Sequence, residues 1–187
     1  MAALACAVLG LTTGCPAKRS TEKTLTSPDE QFQIAVPPAW DTEDDLNDVA
    51  EIQAAYRSSD MYVVVIRDEK ADLFEVDLKK FAELGRDSLL EDKKEVQVSD
   101  AAPLTIDGHS ALQFEIRAVH EHTRVIYLQT VLETPQHFYQ ILTWTVPSRW
   151  EQNRKTLQEI PKRFKETLEK ANPGSVPAAE DWISPFA

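Results

Sequence analysis

Apolar and polar residues along this chain follow two rhythms, a period of two over most of it and a period near 3.6 in two shorter stretches. The two-residue rhythm begins at Gln31-Phe32-Gln33-Ile34-Ala35-Val36, which places Phe32, Ile34 and Val36 on one face. That is the pattern of a half-buried strand. Thr24-Leu25-Thr26 predicts a partner strand across a Ser27-Pro28-Asp29 turn, and Pro37-Pro38 ends the second strand just before Trp40. Strands are expected next at about 50–57 and 61–67. In the latter, Met61-Tyr62-Val63-Val64-Val65-Ile66 is apolar throughout, as in a strand covered on both faces.

The second half predicts three long strands, at about 111–119, 124–133 and 138–146, with shorter ones at 95–99 and 103–106 leading in through an Asp107-Gly108 turn. Their connections, His120-Glu121-His122-Thr123 and Thr134-Pro135-Gln136-His137, are short enough for hairpins, which predicts an antiparallel meander. Alternation in the last strand sends Tyr139, Ile141, Thr143 and Thr145 one way and Phe138, Leu142 and Trp144 the other. Both faces therefore need cover, as a three-layer domain provides.

The helical rhythm appears behind Asp77, where Leu78, Phe81, Ala82 and Leu89 share a face and Lys79, Lys80 and Arg86 point outward, predicting a helix to about Leu90. It returns after Ser148-Arg149-Trp150-Glu151, which reads as a capping box with Ser148 as N-cap and Glu151 at N3. Leu157, Ile160, Phe164 and Leu168 form the buried stripe of that last helix. Pro161 removes a backbone donor within it and should kink or split it near Leu157. The acidic run Asp41-Thr42-Glu43-Asp44-Asp45-Leu46-Asn47-Asp48 predicts a short capped turn or helix; it lacks the central glycine and distal glutamate of a calcium loop. The expected core is Phe32, Ile34, Val64, Phe81, Phe114, Leu128, Leu142, Leu157 and Phe164.

The amino terminus obeys neither rhythm. Residues 1–17 carry no charged side chain, and their apolar run, 2–11, is about half the ~20 residues that a spanning helix needs. It suits a secretory leader. The run ends in Leu11-Thr12-Thr13-Gly14-Cys15, which resembles the lipobox of bacterial lipoproteins. The resemblance implies cleavage before Cys15, with small Thr13 and Gly14 beside the cut, and a diacylglycerol on the Cys15 thiol. Two acyl chains give stable anchoring, so membrane lipid is the first expected partner. The chain then divides into a signal peptide at 1–14, a tether at 15–23 bearing Lys18, Arg19 and Lys23, a domain at 24–170, and an extended proline-rich tail at 171–187. Trp182 and Phe186 of that tail are either docked on the domain or offered to a partner. Such a protein is exported and lipid-anchored to the cell membrane or outer membrane, its domain in the periplasm or at the cell surface.

Composition narrows the chemistry. Of 187 residues 42% are apolar, enough for a packed core, and 31 acids against 20 bases give a net charge of −11 that repels nucleic-acid phosphates. The only cysteines, Cys6 and Cys15, precede the domain, which leaves it without a disulfide, thiolate nucleophile or cysteine metal cluster. With five glycines in all and none clustered, there is no phosphate-cradling loop. Neither a Gly-x-Ser-x-Gly elbow nor a zinc-protease helix motif occurs. No catalytic residue and no cofactor is expected. The alternative chemistry is metal binding at His120 and His122: two residues apart in a strand, their imidazoles would face the same way and could hold zinc or copper, given further ligands. His109 and His137 read as surface residues. Trp40, Tyr139 and Trp144 could line a ligand groove, but core packing between sheet and helices is the expectation.

The order of these features carries a second resemblance. Phe32-Gln33-Ile34-Ala35-Val36-Pro37 is closed by Trp40; a middle helix precedes Ile106-Asp107-Gly108-His109-Ser110-Ala111; His137-Phe138-Tyr139-Gln140-Ile141-Leu142-Thr143-Trp144-Thr145 comes next, then Ile160-Pro161-Lys162-Arg163-Phe164-Lys165. This resembles the PsbP-like and DcrB-like superfamily. The resemblance implies an α+β fold, a three-layer α/β/α sandwich with a central antiparallel sheet, and a non-enzymatic module that binds or assists a protein partner, here one in the cell envelope.

Overall fold

The computed structural model describes residues 22–167. Cys15, the apolar leader, most of the tether, Leu168 and the tail with Trp182 and Phe186 lie outside the described residues. The elements run β1 (Lys23–Thr26), β2 (Phe32–Val36), β3 (Asp41–Thr42), β4 (Ile52–Tyr56), β5 (Met61–Glu69), α1 (Leu78–Leu90), β6 (Lys94–Val98), β7 (Ala102–Ile106), β8 (His109–His120), β9 (Thr123–Glu133), β10 (His137–Thr145), α2 (Trp150–Glu159) and β11 (Phe164–Glu166).

An eight-stranded antiparallel sheet in the order β3-β4-β5-β10-β9-β8-β6 forms the middle layer, with β7 pairing the first half of β8 and β6 the second. Tight turns join β7 to β8 and β8 to β9. Asp107 and Gly108 (φ 50° and 82°) and Glu121 and His122 (φ 44° and 72°) both take the left-handed pair of conformations that matches the twist of adjoining strands. Because strand side chains alternate, this sheet has two apolar faces. Val63, Val65, Ile126, Leu128, Tyr139 and Ile141 lie on one, and Val64, Phe114, Tyr127, Val131, Phe138 and Leu142 on the other. All nine expected core residues are buried.

The first face is covered by α2 and by a separate three-stranded sheet, β1-β2-β11. Phe32, Ile34 and Val36 of β2 are fully buried against it. Phe32 meets Tyr139 edge-on at 5.1 Å and stacks on Phe164 at 5.9 Å. Asn153 of α2 donates from Nδ2 to the carbonyl of Ser59 (2.7 Å) and to Thr145 Oγ1 (2.9 Å), which ties the helix to the sheet beneath. The second face is covered by α1, with Leu46, Ala50, Leu73 and Val76 packed beside it. Its N-cap is Asp77, whose carboxylate accepts from the Lys80 amide at 2.7 Å and contributes about 1 kcal/mol. The result is the expected three-layer α+β sandwich.

Two local expectations are corrected. Pro147 nucleates a 3-10 turn over Pro147–Arg149, so helical geometry has begun before Ser148; Arg149 is the N-cap of α2, without a side-chain bond, and the capping box does not form. Phe164 is not helical. The helix stops at Glu159, Pro161 opens another 3-10 turn, and Phe164–Glu166 becomes a strand paired with β2, Phe164 opposite Ile34. Of the two forms expected for the acidic segment the turn is the one present, with Asn47 Oδ1 accepting from the Val49 amide at 3.0 Å, and no helix forms. Asp41 and Thr42 pair with β4, and Leu46 and Asn47 donate their amides to the buried Gln53 side chain, both at 2.9 Å.

Candidate functional site

The two faces of the sheet are covered unequally, and the difference locates the site. Among the described residues, the α2 side has only Tyr56 and Leu104 as partly buried apolar neighbours of the core, whereas the α1 side has nine, Leu46, Leu73, Leu89 and Trp144 among them. One helix of 13 residues packs over β8, β9 and β10, and on the β5 flank of this face Ile66 and Asp68 remain partly exposed. The Asn47–Val49 turn, pinned from below by Gln53, rises on the far side of that flank.

Between turn and helix lies a groove of about 640 Å³. Ile66 and Asp68 of β5 and Gln140 and Leu142 of β10 are among its floor residues; Phe81, Leu84 and Leu89 of α1 line one wall and Asn47 and Val49 the other. Val49 and Leu84 are 69% and 44% exposed, large apolar side chains left in water at the two rims. Phe74, beside the lining residue Leu73, is 88% exposed. An apolar cleft of this size with a few polar groups is the usual form of a binding site.

One polar feature sits in it, and a second lies buried beneath its edge. Asp68 is half-buried and has neither an ion pair nor a side-chain hydrogen bond among the described residues; burial pushes its carboxyl up from the ordinary value. Beneath the helix, Gln129 is fully buried, and neither its amide oxygen nor its amide nitrogen has a partner among the described residues. A β-carbon on Gly85 would fall 2.3 Å from Gln140 Oε1 and 3.0 Å from Gln129 Nε2. Gly85 therefore lets α1 approach these two amides closely, at the edge of the groove.

The histidine pair does not form a metal edge. His120 ends β8, while His122 occupies the second position of the left-handed turn, so the two do not share a strand face. Nδ1 of His120 lies 3.2 Å from Asp92 Oδ2 and 3.5 Å from the Lys93 ammonium, a surface contact where a cation is already present. Among the described residues no three His, Cys, Asp or Glu side chains converge as a ligand set. His109 opens β8 half-buried. Tyr139 and Trp40 are core residues, as expected, and Trp144 stacks on Tyr62 at 5.1 Å, half-buried on the α1 face.

His137, expected at the surface, is buried instead, because β11 closes over the end of β10. Its Nδ1 lies 3.1 Å from Glu166 Oε1 and its Nε2 3.2 Å from Glu69 Oε1. The Tyr139 hydroxyl donates to the same Glu166 oxygen at 2.8 Å, and burial together with that bond holds its phenol protonated, far above the ordinary range. Alongside, Arg67 reaches Gln31, Asp29 and Glu51 at 2.8, 2.8 and 3.1 Å. Bonds from Ser27 and Arg67 bring the Asp29 carboxyl down to about 2, and burial pushes that of Glu51 up. These groups join the three-stranded sheet to the main one. A catalytic acid or base must reach a reacting group, and both ring nitrogens of the buried His137 are already engaged. The cluster is a fastening. Its partners are 29 and 68 residues away in sequence, so no local spacing announces it.

No family model and no curated protein matches the sequence. The fold is found in solved structures. Cyanobacterial PsbP (CyanoP) from Synechocystis sp. PCC 6803 superposes with a TM-score of 0.60 at 12% identity, covering 83% of this chain and 98% of its own. LpqN of Mycobacterium tuberculosis, described as involved in cell envelope biogenesis, gives 0.58 at 16% identity over 77% and 89%. The Ran-binding protein Mog1p of Saccharomyces cerevisiae gives 0.55 at 14% over 78% and 95%. This chain has the PsbP-like fold, an antiparallel sheet between helical layers.

Proposed function

We propose that this chain is a lipid-anchored, non-catalytic module that binds a protein partner in the cell envelope. The observation that carries the reading is the groove beside α1, an apolar, partly exposed surface. Apolar rims of this kind mark interaction sites more often than they occur by chance on monomers. Two structural neighbours lean the same way: Mog1p binds the protein Ran, and LpqN serves envelope biogenesis. The lipobox-like segment ending at Cys15 supplies the anchor in this reading, and 16–23, fully extended at ~3.5 Å per residue, would hold the domain within about 30 Å of the bilayer.

The anchor has a direct test. Mass spectrometry of the protein isolated from its native host should find an amino-terminal cysteine, residue 15, carrying a diacylglycerol. Cys15→Ala should move the protein from the membrane pellet to the soluble fraction, because two acyl chains at ~0.8 kcal/mol per methylene dominate its membrane affinity. A Cys15→Ala protein that stayed in the pellet through a high-salt wash would defeat the anchored reading.

A further inference from the structure

The groove's chemistry restricts what can fill it, given the binding-module reading above. Its walls offer apolar contact at Phe81, Leu84, Leu89 and Leu142, and a rim residue, Val49, that stands in water. Its charged lining residues are Asp68, Glu91, Asp92 and Lys93. Lys93 is already held by Asp92 at 2.6 Å, which leaves Asp68 and Glu91 uncompensated. The domain around them belongs to a chain of net charge −11, so the field at the groove favours cations and disfavours acidic segments. Independently of charge, the fully buried Gln129 amide lies against Gly85 and Gln140, both lining residues, with neither polar atom satisfied. Gln129 itself lies beneath Gly85 and not on the groove surface, so the polar groups the groove presents to a ligand on its floor are Asp68 and Gln140.

We infer that the groove between α1 and the Asn47–Val49 turn is the docking site for a basic, apolar-anchored peptide segment of a partner protein, with aliphatic side chains against Phe81, Leu84 and Leu89, a lysine or arginine at Asp68, and a peptide group at the Gln140 amide. Burial that disfavours the Asp68 carboxylate in the free protein turns into affinity when a cation arrives, because a charge-assisted bond in a partly dry site is stronger than one in water. Leu84 and Val49, exposed in the free protein, become the apolar contacts.

The test uses the full chain, labelled with nitrogen-15, and a synthetic twelve-residue peptide of alternating leucine and lysine, with the leucine–glutamate peptide as control. The expected result is saturable binding of the basic peptide only, with resonance shifts at the Gln140 side-chain amide and the Val49 and Leu84 backbone amides. Asp68→Asn, which preserves volume, should weaken binding by about tenfold, the scale of one charge-assisted contact, and Leu84→Glu should weaken it through the apolar wall. Binding that maps elsewhere, for instance to the edge strand β6, overturns the proposal, as does equal affinity of Asp68→Asn. Binding that appears only once Lys18 and Arg19 are changed to Glu would assign the groove to the chain's own tether and overturn the partner assignment. In each of these outcomes the binding-module reading survives, since a partner could engage another face, and the Cys15→Ala fractionation tests the anchor separately.

Discussion

Replacing Glu166 by alanine is expected to destabilise the domain by about 3–5 kcal/mol, the cost of removing one partner from a buried charged cluster. The Glu166 side chain is 11% exposed and that of His137 4%. One oxygen, Oε1, serves His137 Nδ1, the Tyr139 hydroxyl and the Thr134 hydroxyl at 3.1, 2.8 and 3.0 Å. Without it three polar groups lose a partner in the interior. The companion variant Glu69→Ala touches the other nitrogen of the same ring from a side chain 54% exposed. Water replaces that carboxylate readily, so its loss should cost less than about 1 kcal/mol. Urea denaturation measures both: the midpoint should fall far for Glu166→Ala and little for Glu69→Ala, with the slope unchanged. Equal costs would mean that the cluster does not fasten the two sheets.

Phe32→Ala should cost about 3–5 kcal/mol, the range for removing a fully buried aromatic ring. Phe32 is 0% exposed, packs against Tyr139 and Phe164, and has the Arg67 guanidinium 5.4 Å above its ring. It stands where the three-stranded sheet meets the main one, so the cavity opens between layers that cannot easily collapse together. The same denaturation experiment reads it. A cost below about 1.5 kcal/mol would show that the small sheet can settle into the gap and is not rigidly registered.

The central sheet was legible in the sequence because strand alternation is local. Tyr139 and Ile141 against Phe138 and Leu142 predict two covered faces from residues 138–142 alone, and the structure has them. Asp107-Gly108 predicts a tight hairpin because those residues accept left-handed backbone, and it forms. Strand β11 was not legible. Leu157, Ile160 and Phe164 keep a helical spacing across the point where the helix ends, and only pairing with β2, far earlier in the chain, makes Phe164 a strand residue. Pro161 signalled an interruption but not the strand beyond it.

The site was legible only in part. The apolar residues of α1 were identified, yet the groove depends on how much of the sheet that helix leaves bare, which is a property of packing and not of period. Asp68 looked like an ordinary acid at the end of a strand, and Gln129 like one polar residue in an alternating run. Their isolation appears only when β5, β9 and β10 are side by side. His120 and His122 drew attention through spacing, but the left-handed Glu121-His122 turn separates their side chains. The signal that could have found the groove was the glutamines themselves: Gln129 and Gln140 interrupt otherwise apolar strands on the face that α1 must cover.

The most direct measurement of the binding claim is site-specific photo-crosslinking in the native envelope. A benzophenone amino acid would stand at Leu84, on the rim of the groove, and in a second protein at Lys155, exposed on α2 across the domain. If the α1 groove holds a protein partner, illumination yields a discrete protein adduct from position 84 and none from position 155. Absence of an adduct at 84, or the same adducts from both positions, would contradict it.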